Sequence, residues 1–260
     1  MRIQQLYLYP IKSTQAYQVS QALVQPQGLN FDREFMLTEV DGTFITARKD
    51  AELFSFSAFP ISSGLYIQHR QGDAIQVHYR DFAQQAQCEV WGNHFPSWIA
   101  PETINQWFSA KIGREMQLRW LGENSQRYIK NTEQQVSFAD GYPILLTSQT
   151  SLEAVQQHCG QPIQMQQFRP NIVIDGELPF AEQEWQKIQI GEVTFIHSKP
   201  CERCVLTTRN PHNAEMHPKM EPFRTLKKIN PNEKGKPLFG VNLIPLNSGV
   251  IYVGDEIKLL

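Results

Sequence analysis

Short runs of apolar and aromatic residues, each followed by a turn signal, recur along most of this chain. In three places two such runs flank a turn that contains glycine, at Asp41-Gly42, Gly72-Asp73 and Gly191-Glu192. Such turns favour β-hairpins, because glycine and aspartate accept the backbone angles of tight turns. Many short strands with few helices favour a β-barrel over a doubly wound parallel sheet. The sequence therefore predicts a mostly β protein of the α+β class.

Helical signals are few. Residues 101–111, 150–159 and 222–229 each predict a short helix. The second begins with a capping-box pattern from Thr150 to Glu153. These three helices are too few to cover both faces of a parallel sheet.

The length of 260 residues fits one large domain or two of ordinary size. The chain is 41% hydrophobic and 19% charged, which is enough apolar material for a core. Residues 122–135 are polar and show no periodicity. We therefore predict a domain boundary there, with one domain at 1–120 and a second at 121–260.

Composition and charge exclude several classes of protein. The net charge of −2 and pI near 6.4 give no basic footprint for nucleic acid. No apolar run approaches the roughly 18 residues of a membrane span, and the first residues do not form a signal peptide. Four cysteines do not make a disulfide scaffold. Neither a Gly-x-Gly-x-x-Gly fingerprint nor a Walker loop is present. We expect a cytoplasmic protein with no nucleic-acid or membrane partner.

Two of the four cysteines lie close together, in residues 199–208 (KPCERCVLTT). They follow an expected strand, residues 193–196, at a turn marked by proline. A neighbouring cation favours the thiolate, which is the nucleophilic and metal-binding form. Because Arg203 is adjacent to Cys204 in sequence, Cys204 is the preferred reactive thiol. The concentration of these residue types predicts a site.

The residue pattern leaves four interpretations of Cys201 and Cys204 open. With His212 and His217 they superficially resemble a zinc site, although the seven-residue gap is shorter than in a usual zinc finger. A redox pair is disfavoured, because residues 205–208 look extended and such pairs normally open a helix. Two ordinary cysteines in a β turn, or one thiolate on a soft metal centre with the other cysteine incidental, are the remaining alternatives.

Polar residues near strand ends predict an anion site. Lys12 and Ser13 follow a strand and a proline, where an ammonium and a hydroxyl can bind an anion. Arg33 and Arg48 lie on either side of the first hairpin. Two solvated arginines and an ordinary surface lysine are the alternatives.

A second group of such residues lies in the C-terminal half. Arg169 precedes Pro170, which predicts an extended backbone, and it leads into an apolar strand. A salt bridge to a carboxylate is the alternative. Thr147 and Ser148 precede the second helix, where hydroxyls suit a phosphate or simply cap the helix.

Ten segments in order along nearly the whole chain resemble the MOSC family, the proteins related to the C-terminal domain of molybdenum-cofactor sulfurase. They are residues 9–13 (YPIKS), 32–37 (DREFML), 41–48, 138–143 (FADGYP), 148–152 (SQTSL), 168–174 (FRPNIVI), 185–191, 201–208 (CERCVLTT), 239–242 (FGVN) and 253–255 (VGD).

The resemblance implies an N-terminal MOSC β-barrel domain followed by a MOSC β-barrel domain. It also implies a molybdenum cofactor (molybdopterin) whose metal is bound by Cys204, the catalytic ligand. Carried over by motif position, the cofactor-binding residues would be Lys12, Ser13, Arg33, Arg48, Thr147, Ser148, Arg169, Asn171 and Thr207. Lys12 and Arg169 would then lie close together. The family also carries an association with pyridoxal phosphate.

The relatives that the sequence most resembles reduce N-hydroxylated compounds, so the resemblance implies such a small-molecule substrate. A cofactor-binding or sulfur-carrier protein without turnover is the alternative. Besides the Cys201 and Cys204 pair only Cys88 and Cys159 are present, which are too few for a four-thiolate iron–sulfur cluster. We therefore expect electrons from a separate reductase or ferredoxin-type protein. Arg209 adds a charge where the family usually has an uncharged residue, which affects the expected substrate preference.

Overall fold

Strands dominate the fold, as the sequence predicts, and three α-helices interrupt them. The computed structural model describes residues 1–260. The strands are β1 (Ile3–Leu8), β2 (Tyr17–Val19), β3 (Gln21–Gln25), β4 (Gly28–Leu29), β5 (Phe35–Thr38), β6 (Phe56–Ile61), β7 (Gly64–His69), β8 (Ala74–His78), β9 (Gln84–Val90), β10 (Asn93–Ile99), β11 (Gln117–Trp120), β12 (Ile144–Ser148), β13 (Ile172–Ile174), β14 (Lys187–Ile190), β15 (Val193–Glu202), β16 (Leu238–Pro245), β17 (Gly249–Tyr252) and β18 (Ile257–Leu259). The helices are α1 (Glu102–Ile112), α2 (Gln149–His158) and α3 (Phe223–Ile229). None of the three helices has the length and hydropathy that a membrane-spanning segment requires.

The chain forms two compact units, and each is assembled from separated stretches of sequence. The first unit contains residues 1–8, 18–30 and 142–260, and the second contains 9–17 and 31–141. The boundary expected between residues 120 and 121 stays a prediction, since these units follow packing and not contiguous sequence.

An eight-stranded sheet forms the first unit, in the order β18-β14-β15-β16-β12-β13-β1-β2. Strands β12 and β13 are parallel, whereas β13 pairs with β1 in antiparallel orientation. All three residues of β13 are buried, which matches its central position and its β-branched sequence. A smaller sheet, β17-β3-β4, completes the unit.

The second unit contains two sheets, β5-β11-β10-β9 and β6-β7-β8. Helix α1 packs against β11, and its buried Phe108 contacts the ring of Phe56. The helix ends where Gly113 adopts a left-handed conformation with φ of 83°. At the Asp41-Gly42 turn, Gly42 has φ of 90°, and a β-carbon there would collide with the Gln87 carbonyl.

Most local predictions are confirmed. The hairpins β7–β8 and β14–β15 form around the glycine turns at residues 72–73 and 191–192, and α1 and α3 lie where the sequence places them. The turn at Asp41-Gly42 also forms, but only one isolated bridge, Thr38 to Phe44, joins its arms. Strand β5 pairs instead with β11.

Two predictions about helix and strand ends are wrong. Helix α2 is capped by Ser148 and not by Thr150, because the Ser148 hydroxyl accepts a hydrogen bond from the Ser151 amide. The turn expected at Pro200 does not end the strand. Strand β15 continues to Glu202, with register shifts on either side of Pro200 that accommodate the missing amide hydrogen.

Two predictions about extended backbone are also wrong. Arg169 is left-handed, with φ of 56° and ψ of 46°. Its amide bonds to the Gln166 carbonyl and ends a 3₁₀ turn, so the local turn decides the conformation. The segment Val205–Thr208 is a 3₁₀ turn. The Thr208 hydroxyl donates to the Val205 carbonyl three residues earlier, which supports the turn.

Candidate functional site

The cysteine loop begins at the end of β15. Cys201 lies in the last part of the strand, and Cys204 is the residue that precedes the 3₁₀ turn Val205–Thr208. Both thiols are free and partly exposed. A partly exposed thiol at a turn can reach a ligand, whereas Cys88 and Cys159 are buried and separate from the loop.

Arg203 ties this loop to two other segments of the first unit. One guanidinium nitrogen, Nη1, lies 2.9 Å from the sulfur of Cys201, and the other, Nη2, donates to the Phe168 carbonyl at 2.6 Å. The Arg203 amide donates to the Pro237 carbonyl at 2.8 Å. The cation therefore contacts Cys201, not the adjacent Cys204. Adjacency in sequence therefore did not identify the thiol that the guanidinium contacts. The preference for Cys204 depends on the family motif alone.

The zinc interpretation does not match the placement of the side chains. No group of three or more His, Cys, Asp and Glu side chains is arranged to hold a metal ion. The Nδ1 atom of His217 instead accepts a hydrogen bond from the Lys219 amide at 3.2 Å. Cys201, Cys204, His212 and His217 are not gathered into a four-ligand set.

The threonine after the cysteines is buried. Thr207 is 1% exposed, its hydroxyl donates to the Cys204 carbonyl at 3.0 Å, and its own carbonyl accepts from Gln167 at 2.8 Å. These bonds fix the backbone that carries Cys204. The cofactor contact expected of Thr207 stays a prediction.

The Phe168–Asn171 turn lies beside the cysteine loop, because Arg203 bonds to it. The ring of Phe168 stacks on that of Phe239 with centroids 3.8 Å apart. Asn171 is buried and links two strands: its amide nitrogen donates to the Tyr7 carbonyl at 3.2 Å, and its oxygen accepts from the Leu145 amide at 3.2 Å. Asn171 therefore orders the sheet, while Arg169 stands at the left-handed corner of the turn.

Thr147 and Ser148 end β12 and are both buried. The Thr147 hydroxyl lies 3.2 Å from the sulfur of Met165. The Ser148 hydroxyl caps α2 and lies 3.2 Å from the carboxyl of Glu182, which also accepts from Ser151 at 2.9 Å. Burial raises the pKa of Glu182. The structure shows Ser148 as the cap of α2, which is the alternative to a phosphate site. A cofactor contact by the Thr147 and Ser148 hydroxyls stays a prediction.

In the second unit, Lys12 is only 6% exposed, although it carries a charge. Its ammonium donates to the Phe138 carbonyl at 2.7 Å and forms an ion pair with Asp140. Burial lowers the pKa of Lys12 to about 8, while Asp140 acts to raise it. Ser13 follows in a left-handed conformation with φ of 70° and is also buried.

Arg48 belongs to the same cluster as Lys12. Its guanidinium lies 4.4 Å from the ring centre of Trp91 and 3.4 Å from the Asp140 carboxylate. The Trp91 indole donates to Asp140 at 3.1 Å. Partial burial acts to raise the pKa of Asp140, but Lys12, Trp91 and Arg48 together hold it well below its usual range. One carboxylate thus compensates two cations.

Arg33 lies 2.6 Å from the carboxylate of Asp32, and its guanidinium lies 4.2 Å from the ring centre of Tyr9. Its main chain joins the Lys12 cluster, because the Arg33 carbonyl accepts from the Phe138 amide at 2.9 Å. The structure therefore connects Lys12, Arg33 and Arg48 within one unit.

Three functional candidates were not assigned a role from the sequence: Trp91, Asp140 and Arg127. Arg127 is buried and donates to the carbonyls of Ser137 at 2.6 Å, Ala139 and Asp140 at 3.2 Å. It holds the segment that presents Asp140. The motif FADGYP contains Asp140 and was a usable signal, whereas Trp91 and Arg127 lie outside the ten matching segments.

Two protein-family models together match most of the chain. The family model described as the MOSC N-terminal beta barrel domain matches residues 1–115, and the MOSC domain model matches residues 133–258. Mitochondrial amidoxime-reducing component 1 of Mus musculus is 30% identical over 99% of this chain and 82% of its own length. This chain belongs to the MOSC family. The MOSC protein is also 29% identical to mitochondrial amidoxime-reducing component 1 of Homo sapiens, over 99% of this chain and 82% of that protein.

A second kind of relative is a longer protein that matches this chain over about a third of its own length. Molybdenum cofactor sulfurase of Oryza sativa subsp. japonica is 27% identical over 94% of this MOSC protein but only 32% of its own length. The relatives therefore include both amidoxime-reducing components and sulfurases.

Proposed function

We propose that this protein is a molybdenum-cofactor-dependent oxidoreductase that reduces N-hydroxylated substrates, such as amidoximes or hydroxylamino bases. The observation that carries the proposal is the similarity to amidoxime-reducing components over nearly the full chain, at 30% identity to the mouse protein. The reaction would consume two electrons and two protons, and would convert an N–OH group into N–H with release of water. The electrons would come from a separate reductase or ferredoxin-type protein, and we propose a cytoplasmic location.

The residues present fit a phosphate-bearing cofactor with a soft metal. Lys12, Arg33 and Arg48 supply cations in the second unit, and the pKa of Lys12 near 8 still leaves it mostly protonated at neutral pH. Cys204 offers a partly exposed thiol, the ligand type that molybdenum shares with other soft metals. When bound, the cofactor would supply two-electron redox chemistry.

The chain's own residues would do the remaining work. Cys204 would bind the metal, and the Thr207 hydroxyl would fix its backbone through the bond to the Cys204 carbonyl. Arg203 would hold the loop against the Phe168 carbonyl, which sets the position of Arg169 at the next residue. We propose that Lys12, Ser13, Arg33, Arg48, Thr147, Ser148, Arg169 and Asn171 orient the cofactor's anionic and polar groups.

The second candidate function is cofactor binding or sulfur transfer without turnover of an N-hydroxylated substrate. The similarity to the rice molybdenum cofactor sulfurase, 27% over 94% of this chain, favours it. The two candidates differ in one measurable respect, because only the oxidoreductase reduces substrate.

The test uses protein expressed in a host that makes the cofactor. We expect molybdenum by elemental analysis and reduction of an amidoxime by reduced methyl viologen. Cys204→Ser replaces a soft thiolate with a poor ligand and should abolish turnover, while the matched variant Cys201→Ser should keep most of it. Full activity in Cys204→Ser, or equal loss in both variants, would contradict the assignment. Molybdenum without any turnover would support the carrier.

A further inference from the structure

Basic side chains concentrate in one segment of the first unit. Residues 219–236 contain six basic and two acidic residues, a net charge of +4, although the whole chain carries −2. All six basic side chains are exposed: Lys219, Arg224, Lys227, Lys228, Lys234 and Lys236. The rest of the chain is therefore distinctly acidic, and this segment differs from it in sign.

Three of these cations form one face of α3, which we name the α3 basic face: Arg224, Lys227 and Lys228. Their spacing places them on the same side of the helix, while Thr225 and Leu226 on another side are buried. None of the three forms an ion pair with a carboxylate. The helix dipole favours the two lysines in the last turn, but it disfavours Arg224 in the first turn. Stabilisation of the helix by its dipole therefore explains the positions of the two lysines but not that of Arg224.

Helix α3, which carries the α3 basic face, lies beside the cysteine loop. Helix α3 packs against the 3₁₀ turn that follows Cys204. The segment before α3 is joined to this turn, since the His217 amide donates to the Thr208 carbonyl at 2.8 Å. The three cations therefore belong to a helix that packs against the turn after the predicted metal ligand, close to where electrons must arrive.

Exposed apolar side chains accompany the cations. Val205 is 37% exposed, Met216 44% and Met220 36%, all in the cysteine loop or the segment that leads to α3. Methionine and arginine are enriched in protein interfaces, and an apolar patch bordered by charge is typical of their anatomy. Exposed methionine beside arginine and lysine matches the composition of a small protein interface, and binding to a membrane surface is the alternative that the vesicle measurement below tests.

We propose that the α3 basic face is the docking site of an acidic electron-carrier protein that delivers electrons at Cys204. This inference rests on the proposed function, whose reaction takes two electrons from a separate carrier. Complementary charge would raise the rate of encounter by about tenfold or more at low ionic strength and would orient the carrier. The contact would be small and transient, as electron-transfer complexes are.

The test compares the molybdenum-loaded protein with the variant Arg224→Gln/Lys227→Gln/Lys228→Gln. The probe is a reduced flavodoxin of strongly acidic pI, and the readouts are its dissociation constant and the second-order rate of amidoxime reduction. At low salt we expect about tenfold weaker flavodoxin binding, a similar loss of rate and a flatter dependence on ionic strength. Turnover with reduced methyl viologen should be unchanged, because that donor needs no docking face.

A matched control removes three exposed cations elsewhere, as Lys130→Gln/Lys187→Gln/Lys258→Gln. It has the same net charge as the first variant, and we expect it to bind and react like wild type. Equal losses in both variants would overturn the proposal, because net charge alone would then explain the effect. Unchanged flavodoxin binding in the α3 variant would also overturn the proposal. The same holds if wild type binds anionic phospholipid vesicles, the α3 variant does not, and the variant keeps the wild-type rate with flavodoxin. Failure of wild type with methyl viologen, with flavodoxin binding intact, would refute the proposed function and not the docking face.

Discussion

Replacing Asp140 with asparagine would remove the only carboxylate that the structure shows paired with the ammonium of Lys12. The Lys12 side chain is 6% exposed, so the ammonium has almost no water to replace that partner. Its remaining acceptor is the Phe138 carbonyl at 2.7 Å. The substitution therefore tests whether the buried charge depends on this carboxylate.

The expected cost follows from the burial of the two partners. Removing one member of a fully buried ion pair costs about 3–5 kcal/mol. The Asp140 side chain is 58% exposed, so water already screens its half of the pair. The Phe138 carbonyl and the new amide oxygen also still accept from Lys12. We therefore expect a loss of about 1–2 kcal/mol in the free energy of unfolding at neutral or lower pH.

The dependence on pH gives a sharper result. Burial lowers the pKa of Lys12 to about 8 from 10.5, even with Asp140 present, and the pKa falls further without it. Between the folded and unfolded values the unfolded state binds more protons, so the contribution of Lys12 to stability rises with pH. In Asp140→Asn this rise begins at lower pH than in wild type. The difference in the free energy of unfolding between wild type and Asp140→Asn should be greatest near pH 6 and should shrink as the pH rises towards about 8.

Urea unfolding of wild type, Asp140→Asn, Lys12→Met and the double variant, at about pH 6 and pH 9, measures this. Lys12→Met removes the charge, so the effect of Asp140→Asn should largely disappear in its presence. The reasoning would be refuted by a deficit that is the same at both pH values, or by effects of the two substitutions that simply add.

Two further predictions concern the first unit. Burial raises the pKa of Glu182, so the folded state favours the protonated carboxyl, and stability should fall as the pH rises above the ordinary range of a carboxyl group. Glu182→Gln keeps an oxygen for the Ser151 hydroxyl and cannot ionise, so the urea midpoint of this variant should fall less than that of wild type as the pH rises above the ordinary carboxyl range. An equal fall in both proteins would contradict the prediction. Arg203→Lys cannot bond to both the Cys201 sulfur and the Phe168 carbonyl, so hydrogen exchange of the backbone amides in the cysteine loop, measured by mass spectrometry, should quicken severalfold. An unchanged exchange rate would show that the guanidinium does not hold the loop in place.

Local signals predicted the elements of this fold better than their arrangement. The Gly191-Glu192 turn predicts the β14–β15 hairpin, because a two-residue loop fixes both the turn and the register. The position of β1 between β13 and β2 has no such signal, since its partner lies more than 160 residues away. Arg169 and Val205–Thr208 show the other limit. There hydrogen bonds within a turn override the extended conformation that proline and β-branched residues favour.

The candidate site was predictable in its residue types but not in its contacts. The motifs identify Lys12, Arg48 and Cys204, and the structure places the two cations around Asp140. Sequence adjacency assigned Arg203 to Cys204, whereas the side chain extends back along β15 to Cys201. A neighbour in sequence is not a neighbour in space when the chain changes direction between two residues. Whether Lys12 and Arg169 lie together stays a prediction, since the two residues belong to different units.

The interleaved course of the chain has a consequence for synthesis on the ribosome. All of the second unit, residues 9–17 and 31–141, has been made before the main part of the first unit begins at residue 142. Strands β1 and β3 are made before residues 31–141, yet their partners β13 and β17 begin at Ile172 and Gly249. The apolar side chains Ile3, Leu6 and Leu8 of β1 therefore lack the partner strand β13, and stay open to chaperones, until synthesis has passed Ile172. A ribosome that stalls between residues 142 and 172 would hold a chain with one finished unit and an exposed, aggregation-prone strand β1.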